Sequence, residues 1–117
     1  MTSDQRITGG TVRIKATRNI RAITEPDVVL DEATDFRPLL RAIEEAERLY
    51  KEAALKSSRN DLWMALQPSI VEITIAEGQS IIESFQNRIQ KNGTVYNFSL
   101  RFNGLDYSVV LELFRCG

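Results

Sequence analysis

A small set of arginines stands apart from the regularly spaced charges of this chain: Arg18 and Arg21, Arg59, Arg88, Arg101 and Arg115. A guanidinium keeps its charge at every physiological pH and donates two parallel hydrogen bonds from one plane, a geometry matched to phosphate. Aromatic residues on which a base could stack follow in the second half: Phe85, Tyr96, Phe98, Phe102, Tyr107 and Phe114. Asn97 lies in a strand-like run where asparagine is disfavoured, so it is either an outward polar position or a hydrogen-bonding one. The competing reading is plain. Each arginine taken singly is an ordinary surface residue, and Phe85 falls on an apolar stripe that a core would use.

Other chemistries are removed by composition. The chain has no histidine and one cysteine, Cys116, which excludes disulfides within the chain, the usual zinc ligand sets and every histidine-based triad. No glycine-rich phosphate loop, metal-ligand spacing or nucleophile elbow is present. No metal or cofactor is therefore expected, and no catalytic residue is assigned. With 15 basic and 16 acidic side chains the formal net charge is -1, so neither long nucleic acid nor an anionic membrane is expected as a partner. The first residues lack the apolar centre of a signal peptide and no run reaches the length of a membrane helix, which leaves the cytoplasm as the expected location.

The elements that must carry those residues can be placed by periodicity. A length of 117 residues predicts one α+β domain over 11–117 behind a polar tail, 1–10. Thr11 to Ala16 alternates as a half-buried strand, and Val28-Val29-Leu30 is a second short one. A helix is predicted from Thr34 or Asp35, with Pro38 tolerated in its first turn and a buried stripe of Phe36, Leu39, Leu40, Ile43, Ala46, Tyr50 and Ala53. On its outer side Glu44 precedes Arg48, Glu47 precedes Lys51 and Glu52 precedes Lys56 by four residues, pairs worth roughly 0.2 to 0.5 kcal/mol each. Leu62 to Gln67 resembles a short helical turn, with Trp63 capping the core.

The most apolar stretch runs from Ser69 to Gly93. Val71, Ile75, Gly78, Ile82, Phe85 and Ile89 recur at steps of four and three, which predicts one helix from about Ser69 to Lys91. The same residues allow a strand, because Val71, Ile73 and Ile75 also alternate. Ser69 with Glu72 would cap the long helix, and Ser80 with Glu83 a shorter one after a strand and a turn at Glu77-Gly78. Beyond Gly93, Thr94 to Phe102 and Tyr107 to Phe114 read as a hairpin around Asn103-Gly104. The expected architecture is thus short N-terminal strands, two packed helices and a C-terminal antiparallel β-hairpin. An apolar last strand, Val109-Val110-Leu111, read as an exposed edge, predicts completion by homo-oligomerisation, at least a dimer.

Strand material with Arg18-Asn19-Ile20-Arg21, two helices and a final hairpin ending Leu113-Phe114-Arg115 resembles the first class of phage Thoeris anti-defence proteins. The resemblance implies a non-enzymatic sponge in the host cytoplasm that sequesters cyclic ADP-ribose isomers made by bacterial immune enzymes, with cyclic oligonucleotides at a separate site in some members. It would make Phe85 and Asn97 the adenine-packing residues and Leu113 the ribose neighbour. The phosphate-binding arginines would be Arg115 and, from a neighbouring subunit, Arg21 or Arg18. Arg59 would belong to the second site. The rival reading is a small protein-binding or assembly module that acts through an oligomeric β-edge.

Overall fold

A computed structural model describes residues 10–31, 33, 35–56 and 67–115 of the chain. Eight elements follow in order: β1 (Gly10–Arg18), β2 (Val28–Leu30), α1 (Arg37–Lys56), β3 (Ser69–Thr74), α2 (Ile75–Ser84), β4 (Gln90–Asn92), β5 (Val95–Phe102) and β6 (Leu105–Arg115). The strands make one sheet in the order β2-β5-β6-β1-β3, with β4 also pairing β5. All pairings are antiparallel except β2 with β5.

Alternation along the strands decides the layers. Val12, Ile14 and Ala16 of β1, Ile73 of β3, Phe98 and Leu100 of β5, and Tyr107, Val109 and Leu111 of β6 are buried on one face. Both helices cover that face: the Ser69 hydroxyl donates to the Ala42 carbonyl of α1 at 2.7 Å, and Gly78 of α2 lies against Val12. Burying an aliphatic side chain of this size contributes roughly 1.5 to 3 kcal/mol, so the stripe of Leu39, Ala42, Ile43 and Ala46 is what fixes α1 to the sheet. The opposite face is left to solvent, as antiparallel sheets allow. It carries Arg13 paired with Glu72, Lys15 paired with Glu112 and Arg101 paired with Asp106.

The hairpin expectation holds in detail. Asn103 and Gly104 both have positive φ, 53° and 76°, as a two-residue turn joining Phe102 to its partner Leu105 requires. β1 also appears where alternation put it, running from Gly10 to Arg18, and β2 on the apolar run Val28-Val29-Leu30.

Three expectations are corrected. The single helix from Ser69 to Lys91 is instead β3, then α2, then β4. Ile70, Val71, Ile73 and Thr74 are β-branched and stiff, and β1 offers them an unbroken partner over six residue pairs, so the strand is chosen over a helical extension. The cap that starts α2 is neither of the two boxes expected. The Thr74 hydroxyl accepts from the Glu77 amide, and a Glu77 carboxylate oxygen accepts from the Thr74 amide, both at 3.1 Å. Gly93, expected beyond a helix end, supplies φ of 68° between β4 and β5 instead.

The second correction concerns the edge. β6 is not exposed at its side, because β1 pairs with it from Gly10–Arg115 to Arg18–Tyr107. The N-terminal strand therefore sits in the same sheet as the hairpin, and the argument for a second copy drawn from β6 falls. Thirdly, α1 starts at Arg37, and its charges pair differently from the expected scheme. Arg48 binds Glu45 and Glu52, while Glu47 turns to the sheet. The expected Leu62–Gln67 turn with Trp63, and the cap at Thr34, lie outside the described residues except for Gln67, which belongs to no helix.

Candidate functional site

The most concentrated polar chemistry lies where β1 and α1 meet. Arg18, the last residue of β1, sends Nη1 to Oε1 of Glu47 at 2.6 Å, and its guanidinium lies 4.3 Å from the centre of the Tyr50 ring. Tyr107 donates to the same Glu47 oxygen at 3.2 Å. Burial first, and then the Glu47 charge, push the Tyr107 hydroxyl above its ordinary value, so it stays protonated and a donor. Helical spacing makes this cluster possible: Glu47 and Tyr50 are three apart on α1 and share the side that faces the sheet. Arg18 Nε is buried there without a hydrogen-bond partner, and so is Asn19 Nδ2 on the other face of the sheet, where Asn19 Oδ1 accepts from the Ser108 hydroxyl.

A second cluster holds the chain just beyond β1. Asp106 is buried, takes Nε of Arg101 at 2.9 Å and accepts from the Ile23 amide at 2.9 Å. The Arg101 hydrogen bond and then the Ile23 amide keep its carboxyl below the ordinary carboxylate value. The ionised form is therefore favoured in the folded chain, and its contribution is present above pH about 4 and lost as acid protonates Asp106. Asp106→Asn is expected to lower stability by about 1 to 2 kcal/mol at pH 7, Arg101 being half exposed and partly screened. In urea titrations the difference from the parent chain should shrink below pH 4, and a difference that persists there would assign the loss to packing.

The residues that the sequence marked are not gathered in one chain. Arg18 and Arg21 lie at the end of β1, whereas Leu113 and the backbone of Arg115 lie at its start, since Gly10 pairs Arg115 and Arg18 pairs Tyr107. At about 3.4 Å per residue those two ends are roughly 27 Å apart. Arg21 is exposed, and Leu113 is half-buried on the helix side. Asn97 is on the opposite, open face, across from Val110. Phe85 is 7 % exposed, with the rings of Phe36 and Phe98 at 5.0 and 5.6 Å. Arg88 is exposed after α2. Arg59 and the side chain of Arg115 lie outside the described residues.

Sequence reasoning missed Glu47, Asp106 and Phe36 as polar or aromatic positions of note. Glu47 was visible as one of the regularly spaced helix charges, which hid its inward direction. Phe36 is half-buried and, with Asp35, Arg37, Glu77, Ser80 and Ile81, lines a groove of about 320 Å³ between the starts of the two helices. Among the described residues no helix is long and apolar enough to cross a membrane. Comparison with protein-family models, curated proteins and solved structures finds no match for the chain.

Proposed function

We propose that the chain is a non-enzymatic phage anti-defence protein that binds and sequesters a cyclic nucleotide-type immune signal, a cyclic ADP-ribose isomer, between copies of itself. The observation that carries this reading is the separation of the two arginine groups. Arg18 and Arg21 stand at one end of the β1–β6 ladder and Leu113 and Arg115 at the other, so a site using both takes them from two chains. Arg18 is turned inward to Glu47 and Tyr50, and Arg21, exposed just beyond β1, is the phosphate ligand from that end. The buried, unpartnered donors on Arg18 and Asn19 give the same end further capacity for an anion. Phe85 is enclosed, so the purine would rest on half-buried Phe36, which Phe85 supports from within. Sequestration needs tight binding without turnover, which asks for no nucleophile or base.

The experiment is direct. The protein is incubated with a cyclic ADP-ribose isomer, freed of unbound ligand and heat-denatured. Intact ligand should return to solution. Recovery of a product in its place, or no uptake, rejects the sponge. Arg115→Ala should abolish uptake while leaving the thermal midpoint nearly unchanged, and a large loss of stability would make Arg115 structural.

A protein-binding or assembly module is favoured by a different observation: the open sheet face ends in exposed Ile70 on β3 and exposed Phe114 on β6. Absence of uptake with retained self-association would select that reading.

A further inference from the structure

The two sides of the sheet are finished differently. On the β5 side the margin is divided between β2 and β4, strands of three residues each, and β4 contains Lys91. Short strands and lysine are the usual devices that keep an edge from pairing with another chain. The β3 side has neither. Ser69-Ile70-Val71-Glu72-Ile73-Thr74 is six residues long, contains no lysine or proline, and pairs with β1 without a bulge. Among the described residues nothing pairs with its outer side. Ile70, on the open face of this strand, is 57 % exposed. At the edge of the same strand, beside α1, lies a groove of about 530 Å³ lined by Val71, Ile70 and the charged residues Arg41, Glu44, Glu45 and Arg48 of α1.

We propose that β3 pairs with β3 of a second copy of this chain, antiparallel about a two-fold axis, to make one continuous sheet across two molecules. The register follows from two constraints. Paired residues in a continuous sheet share a face, so Val71 and Ile73, which point to the helices, must oppose residues of the same parity. Glu72 must not oppose Glu72 of the second copy, because like charges directly opposite are destabilising. Setting Val71 opposite itself satisfies both and pairs Ser69 to Ile73 of each copy, leaving Thr74 opposite Pro68 at the margin. Glu72 then faces Ile70 of the other copy, and the two exposed isoleucines become diagonal neighbours across the axis, within reach of each other. Centring on Ile70 cuts the overlap to Ser69–Val71 and moves Pro68, which has no amide to donate, opposite Glu72.

The pairing stands without any ligand. It also brings the Arg18 end of one copy level with the Arg115 end of the other, four strand spacings or about 19 Å apart, because the two copies of β1 run in opposite directions. Dimerisation and ligand uptake are separate readouts, so either can fail alone.

The decisive variant is Ile70→Glu. Within one chain position 70 pairs with Lys15, which accepts a carboxylate well, so the fold is preserved. Across the axis the new charge meets Glu72. In sedimentation velocity at tens of micromolar, the parent chain should run as a dimer and Ile70→Glu as a monomer with unchanged circular dichroism and thermal transition shape. Val71→Cys in a Cys116→Ser background should give a disulfide-linked dimer on mild oxidation, whereas Ser108→Cys, on central β6, should not. A monomeric parent chain, a dimer that survives Ile70→Glu, or equal cross-linking at both cysteines overturns the proposal.

Discussion

Phe85→Ala is expected to lower the stability of the chain by about 3 to 5 kcal/mol, whatever its effect on ligand uptake. The ring is 7 % exposed and wedged between Phe36 and Phe98, one reached from the start of α1 and the other from the centre of β5. Removing it leaves a void beneath the C-terminal end of α2, and also two tilted aromatic contacts worth roughly 0.5 to 1.5 kcal/mol each beyond their area. For a domain of this size the thermal midpoint should fall by roughly 10 to 20 °C. Phe85→Leu, which keeps most of the volume, should cost under about 2 kcal/mol. The pair of variants separates two roles that the sequence could not. A ring that served only as a ligand platform would tolerate truncation, so an unchanged midpoint for Phe85→Ala with lost uptake would refute its assignment to the core.

Gly78→Ala is the second large effect, and its sign is the test. At an ordinary interior helix position this change stabilises by up to about 1 kcal/mol. Here the added Cβ would stand 2.4 Å from Val12 Cγ2 and 2.8 Å from Val12 Cβ, closer than such atoms ever come. Val12 cannot retreat, because β1 is held by β3 on one side and β6 on the other and the residue is wholly buried. Either α2 lifts from the sheet or the strand distorts, and overpacking of this kind costs typically 1 to 3 kcal/mol beyond the propensity gained. A net loss of about 2 kcal/mol is expected in chemical denaturation. Val12→Ala removes the Cγ contacts but keeps Val12 Cβ at 2.8 Å, so it should absorb part of the loss and leave the double variant less destabilised than the sum of the singles. An additive double variant would place the strain elsewhere.

Both residues lie on the stripe that periodicity marked between Val71 and Ile89, although the element that carries them was misjudged. Gly78 and Phe85 are buried as that stripe requires, but its first member sits on a strand. Val71, Ile73 and Ile75 fit period two and period 3.6 over so short a span, and only the presence of β1 as a hydrogen-bonding partner breaks the tie. The sequence also holds the Thr74–Glu77 capping box, which ends immediately before Gly78.

The place of the candidate site was not legible. Arginine and aromatic residues suggest a ligand chemistry, yet local pattern carries no information about which of them share a surface. Glu47 shows why. Its spacing from Lys51 fits a solvated helix pair, and its actual partners, Arg18 and Tyr107, are 29 and 60 residues away in sequence. A carboxylate turns inward when a buried tyrosine and an arginine wait there, and nothing within a helical turn of Glu47 announces them.

The chain alone determined the parts whose cause is local. Alternation made β1, β2 and the β5–β6 ribbon, Asn103-Gly104 closed the ribbon, and an apolar stripe made α1. Tertiary structure decided what depends on a distant partner: the conversion of Ser69 to Thr74 into a strand, the insertion of β1 between β3 and β6, and the sealing of the β6 edge that leaves β3 as the open margin. The physical reason is that a strand, unlike a helix, satisfies its backbone only through residues far along the chain.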